Sequence, residues 1–202
     1  MSDASGVIHP ISDLRLARLP IFPLPEAQLF PDAVLPLHVF EPRYRALVEH
    51  ALQHGNAMGV ATLRPGYQGD YEGRPAVHPV MGAGLILAAD KQDDGRWNIL
   101  VRGFDRVRII EEHAPTQLFR EVRAVRLDEV GVAAGHPLEE RLRSLVAELA
   151  MHAEQAARAL HLILSQAKDA GALTNLIAAH ACSNARLRLR MLECTDVEER
   201  LE

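Results

Sequence analysis

The spacing of apolar residues changes near residue 130, and that change limits the chain to a strand-rich part followed by a helical part. Before it, short apolar runs stand at about 16–22, 35–40, 57–63, 80–89, 97–102, 105–112 and 119–127, punctuated by glycine and proline. Their length and spacing predict strands. Ile99 and Val101 alternate in one run, Val107 and Ile109 in the next, and Gly103 lies between, which predicts a hairpin bending at Gly103. Asp94-Gly95 predicts a second tight turn. After the stretch VGVAAGHP (130–137), Leu138, Leu142, Leu145, Leu149, Ala153, Ala156, Leu160, Ile163 and Ala167 recur at steps of three and four. That is the stripe of one long amphipathic helix, with Gly171 at its C-terminal cap. Shorter helices are expected at 173–181 and 184–193, and Thr195 with Glu198 has the spacing of a capping box.

Composition excludes several function classes. At 202 residues the chain can bury the core of one or two domains. A net charge of −5 and a pI near 6.1 argue against a general polyanion-binding surface. Lys91 and Lys168 are its only lysines, so lysine chemistry has two candidates. The polar start MSDASGVIHP lacks the layout of a signal peptide, and no apolar run approaches the roughly 20 residues of a membrane span. Cys182 and Cys194 fit neither a metal spacing nor a disulfide framework. The expectation is a cytoplasmic protein with reduced thiols, no membrane contact, no cofactor and no metal.

The stretch LHVFEPRYRALVEHAL (37–52) joins a strand to a helix. Leu35, Leu37 and Val39 alternate, Pro42 suits a first helical position, and Tyr44, Leu47, Val48, Ala51 and Leu52 fall on one helical face that Gly55 ends. Glu41 stands at the helix N-terminus, where a carboxylate is favoured, with Arg43 and Arg45 in reach. Helix-start chemistry explains each of these residues, so the cluster reads as a structural joint.

The residues LPIFPLPEAQLFPDAVLPLHVFEPRYRALVEHAL (19–52) resemble the start of the Lon protease N-terminal domain, with Asp32 where that family has the glycine of a Phe-Pro-Gly step. DGRWNILVRGFDRVRI (94–109) resembles a later hairpin of the same family and MLECTDVEERLE (191–202) its helical end, so the likeness covers about 14–202. It implies an α+β fold: a PUA-like β-barrel or sheet domain over 14–129, then an α-helical bundle over 134–202. It further implies a stand-alone, Lon-like relative without ATPase or protease domains, acting as a non-catalytic module that recognises unfolded or extended protein segments. The signature residues Phe40, Glu41, Pro42, Arg43 and Tyr44 then belong to the scaffold.

A search for chemistry finds little. No G-x-x-x-x-G-K-[ST] phosphate loop is present. Ser165 and Lys168 have S-x-x-K spacing but no companion motifs, and Lys168 suits the last turn of a helix. His50 and His54 are four apart without an H-E-x-x-H pattern, which leaves them as surface residues of a helix. The two alternatives are a peptidase or other hydrolase with an unrecognised site, and an RNA-binding PUA-like module. Against RNA stand the 4% aromatic content and the pairing expected of Arg120, Arg123 and Arg126, on a solvated face, with Glu111, Glu112 and Glu121. The segment RPGYQGDYEGRPAVHP (64–79) is longer than a strand connection needs and holds Tyr67, Tyr71, Arg64 and Arg74; it is the candidate protein-binding loop. Oligomeric state and the identity of any client stay open at this level.

Overall fold

The computed structural model describes residues 10–152 and 156–202. Residues 1–9 of the polar start, and Ala153 of the predicted helical stripe, lie outside the described residues. The chain divides into two compact units after Leu127.

The first unit is a closed β-barrel with one added strand. A short helix α1 (Asp13–Leu16) leads into β1 (Leu19–Leu24) and β2 (Val34–Val39). Helix α2 (Pro42–Gln53) follows, then β3 (Ala57–Thr62), β4 (Val80–Lys91), β5 (Trp97–Glu112) and β6 (Arg120–Arg126). Strand β1 runs parallel to β3 and antiparallel to β6, while β3–β4, β4–β5 and β5–β6 are antiparallel, so these five strands form a ring. Strand β2 is appended outside the ring, antiparallel to the first half of β5. The burial patterns follow from these positions: β3 is buried at every residue, whereas β2 has one solvated face. Leu19, Ile21, Met81, Val107 and Val122 belong to one core cluster; Leu47, Val48, Met58, Ile99 and Val101 belong to a second, against the inner face of α2.

Pro42 opens α2 as expected, and Tyr44, Leu47, Val48 and Ala51 are its buried residues; Leu52, assigned to that face, is 36% exposed. Two other expectations are corrected. Leu16, expected to begin the first strand, instead ends the short helix α1, and it joins the core. Residues 97–112 are a single strand, not a hairpin. Gly103 does not bend the chain: it permits a crossing. A Cβ there would lie 2.1 Å from the Phe30 carbonyl oxygen, and the Gly103 N–H donates to Ala33 O at 2.9 Å. The actual hairpin joins β4 to β5 at Gly95, which takes φ 81°.

The second unit contains α3 (Pro137–His152), α4 (Ala157–Gln166), α5 (Ala170–His180), α6 (Ala185–Glu193) and α7 (Val197–Leu201). The single long helix expected over 138–167 is two helices, α3 and α4, packed on each other. One helix cannot bury its own stripe, and folding back supplies the partner. The pairing also re-phases the buried face: Glu139, Val146 and Ala150 turn inward on α3, while Leu145 and Leu149 are 47% and 56% exposed. Gly171 is not a C-terminal cap but lies in the first turn of α5, whose start Asp169 caps by accepting from the Ala172 N–H. Asp196, not Thr195, caps α7. Helix α5 is buried along nearly its whole length, and Arg200 of α7 reaches it, donating to Asn175 at 3.1 Å and to Glu129 at 2.7 Å.

Candidate functional site

The loop between β3 and β4 and the start of α2 meet at a cavity of about 230 Å³ in the first unit. The end of β1 contributes Pro23, the loop Tyr71, Gly73, Arg74 and Pro75, the first turn of α2 Arg43 and Tyr44, and the approach to β6 Leu118, Phe119 and Arg120. Its walls are aromatic, proline and leucine surface interrupted by guanidinium groups.

Two charge clusters hold the loop side of this cavity. In the first, the Tyr71 hydroxyl donates to Glu41 Oε1 at 2.8 Å, and Arg43 Nε donates to Glu41 Oε2 at 3.0 Å. Arg43 also donates to the Tyr71 carbonyl at 3.1 Å, and its guanidinium lies 4.7 Å from the Tyr44 ring centroid and 5.0 Å from that of Tyr71. In the second, Arg120 forms a two-pronged pair with Glu112 at 2.8 and 2.6 Å and donates to the Pro75 carbonyl at 2.8 Å, while Arg74 pairs with Glu112 at 3.2 Å. Such forked pairs fix geometry as well as charge. Behind them Tyr44 packs on Phe22 with centroids 4.1 Å apart, and burial pushes its phenol up to about 12. Burial, and then the bond to Glu41, push the Tyr71 phenol above its ordinary value.

The cavity joins some of the sequence-selected residues and leaves others out. Arg43, Tyr44, Tyr71 and Arg74 line it. Tyr67 sits in a short 3-10 turn, Tyr67–Asp70, with its ring 6.1 Å from that of Tyr71, and Arg64 is exposed; neither lines the cavity. Glu41 stands behind the wall, and Phe40 points to solvent, 58% exposed. Sequence reasoning missed Pro23, Phe119, Leu118 and Arg120. Arg120, expected on a solvated face, has a side chain only 10% exposed, because Glu112 and the Pro75 carbonyl draw it inward. The other pairings divide: Arg123 does meet Glu111, at 3.1 Å on the surface, but Arg126 meets Asp13 and Asp105, and Glu121 meets Arg18. Proline and arginine at 115–120 were the available signal, but only strand pairing brings them to the 64–79 loop.

Among the described residues, Ser165 and Lys168 do not form a dyad. The Ser165 hydroxyl donates to the Leu162 carbonyl at 2.9 Å, and α4 ends at Gln166, so Lys168 lies beyond the helix and not on a shared face with Ser165. His50 and His54 stack at 4.1 Å; among the described residues no group of three or more His, Cys, Asp or Glu is placed to hold a metal. No described helix is long and apolar enough to cross a membrane.

Comparison with known proteins gives a consistent set of relatives. The family described as the ATP-dependent protease La (LON) substrate-binding domain matches residues 18–202. Among curated proteins, the chain is 28% identical over 197 residues to Lon protease 2 of Syntrophobacter fumaroxidans, covering 92% of this chain and 23% of that protein. Lon protease 2 of Herpetosiphon aurantiacus is 27% identical and matched over 100% of this chain and 25% of its own length. The chain thus spans about a quarter of the relatives it matches. Among solved structures, the N-terminal domain of Mycobacterium avium complex Lon protease superposes with a TM-score of 0.72 at 18% identity, covering 91% of this chain and 94% of that one. A Lon N-terminal domain protein from Xanthomonas campestris gives 0.68 at 23% identity with the same coverage, so the fold is shared.

Proposed function

This chain belongs to the ATP-dependent protease La (LON) substrate-binding domain family, and from that premise we propose that it is a non-catalytic module that binds unfolded or extended protein segments. The observation that carries the reading is the cavity between the 64–79 loop and residues 115–120, lined by Tyr71, Pro75, Leu118 and Phe119 with arginines at intervals. Concave apolar surface with a few fixed polar groups suits side chains of an unfolded segment. The loop supplies one wall through Tyr71–Pro75, and residues 66–70 extend past it with open space around Gly66 and Gly69. In this reading Glu41 and Pro42 act as scaffold behind the wall without touching the client, while Arg43 holds the wall from within the cavity lining. The β part (14–129) carries recognition, and the helical part (134–202) is a separate structural unit. The Ser165 hydroxyl bonded within its own helix, and Arg120 drawn inward, favour protein recognition over hydrolysis and over nucleic-acid binding.

The test is binding of a chemically unfolded model protein, followed by fluorescence anisotropy. Leu118 is 73% exposed, so Leu118→Asp leaves folding intact while placing a charge on the cavity rim. Affinity is expected to fall about tenfold, or about 1.4 kcal/mol. Unchanged affinity in folded Leu118→Asp protein overturns the assignment of the cavity, and cleavage of the model protein or of ATP by the purified chain overturns the non-catalytic reading.

A further inference from the structure

We propose that the outer face of the β2–β5–β4 sheet binds a second copy of this chain, with the two sheets stacked antiparallel about a twofold axis. The face is apolar where a solvated sheet should be polar. Val34, Phe40, Leu87 and Leu100 are 38%, 58%, 57% and 42% exposed. The register sets Pro36 opposite Leu100 and Leu100 opposite Ala88, with Val34 one row along, opposite Arg102, and around the Pro36–Leu100–Ala88 row lies an open groove of about 600 Å³. Contiguous exposed apolar surface marks an interaction site more often than a scattered leucine does.

Charge decides what covers it. One end of the strip carries Arg102, opposite Val34; the other carries Asp90, opposite Asn98 and next to the His38 row. Arg102 and Asn98 are four residues apart on β5, about 13 Å along a strand. A face positive at one end and negative at the other complements itself when a copy lies on it reversed. Two in-plane twofold axes are possible. An axis along the strands would set Arg102 over Arg102 and Asp90 over Asp90. An axis across the strands sets the Arg102 end of each copy over the Asn98–Asp90 end of the other, with Asp90 one strand to the side and within reach of the guanidinium, and brings the Pro36–Leu100–Ala88 rows together at the usual spacing of about 10 Å between sheets. Pairing of the copies through the free edge of β2 is disfavoured. Pro36 lacks an N–H, so it can make no ladder bond there.

The experiment is sedimentation of the 202-residue chain over a concentration series at about pH 8, where histidine is neutral. The wild type is expected to reach a dimer. Arg102→Asp and Asp90→Arg, both on exposed residues, are each expected to weaken it by about tenfold or more, and the double variant to return to within about threefold of the wild type. Leu100→Glu should leave a monomer with an unchanged melting temperature. A wild type that stays monomeric throughout, or a dimer indifferent to Leu100→Glu and to both reversals, overturns the proposal. Failure of the double variant to recover overturns the antiparallel arrangement. If Leu100→Glu abolishes binding of an unfolded model protein while the wild type is monomeric, the face takes clients, not copies. The result does not depend on the cavity assignment, which Leu118→Asp tests separately.

Discussion

The Tyr71 hydroxyl donates a 2.8 Å hydrogen bond to Glu41 Oε1 across 30 residues of sequence. This bond, with Arg43 on the Tyr71 carbonyl, ties the 64–79 loop to the strand–helix joint. The Tyr71→Phe variant is expected to lose about 1 kcal/mol, the usual worth of one hydrogen bond. Glu41→Ala should lose more, about 2–3 kcal/mol, because it strips the carboxylate from an Arg43 side chain only 18% exposed. Urea denaturation checks both, and amide exchange over 71–75 should quicken in each; exchange at the wild-type rate would mean that the bond does not hold the loop.

Alkaline pH should destabilise the fold through Tyr44. Its phenol titrates near 10.0 when free and at about 12 in the folded chain, so the unfolded state releases its proton first. Stability is therefore complete below about pH 10 and falls as pH rises toward 12, the direction set by fewer protons on the unfolded state. Tyr71, raised in the same sense, adds to the slope. Comparing urea midpoints at about pH 9 and about pH 11 measures the effect. Tyr44→Phe keeps the ring against Phe22 and should flatten the difference; an equally steep loss in Tyr44→Phe would assign it to other groups.

Asp32 occupies left-handed backbone at φ 66°, the conformation that a glycine adopts without strain. Asp32 stands where the Phe-Pro-Gly pattern has its glycine, and an aspartate tolerates this conformation better than most side chains. Asp32→Gly is expected to shift stability upward by about 0.5–1 kcal/mol, relief of strain outweighing the entropy of glycine. Thermal melts at one pH decide the sign.

Gly103→Ala should be severe. The added methyl would meet the Phe30 carbonyl at 2.1 Å, a backbone group with no rotamer by which to move away. A loss of roughly 3 kcal/mol or more, or failure to fold, is expected. A soluble variant with a wild-type denaturation midpoint would show that the crossing of residues 30–33 over β5 can relax.

The Asp196 cap makes a milder test. Its carboxylate accepts from the Glu198 and Glu199 N–H groups at 2.9 and 3.3 Å, so Asp196→Ala should cost about 1 kcal/mol. Thr195→Ala should cost little, since Thr195 is not the cap.

What the sequence determined by itself was local or carried by a specific motif. Pro42, the three-and-four spacing of Tyr44, Leu47, Val48 and Ala51, and Gly55 at φ 87° define α2 within a dozen residues, because helix start, face and stop are short-range properties. The 19–52 pattern identified the family, and with it the order of a β part and a helical part. Tertiary structure decided everything that needed a distant partner. Gly103 has the same sequence appearance in a bend and in a crossing; the approach of Phe30 makes it the second. The spacing over 138–167 could not reveal that the stripe folds on itself, or that Leu145 and Leu149 would face solvent, because which face is buried depends on the helix that arrives to cover it. Nor could it separate Arg120 from Arg123, three residues apart: one is drawn inward by Glu112 and the Pro75 carbonyl, the other lies on the surface with Glu111, and only the closed barrel places those acceptors.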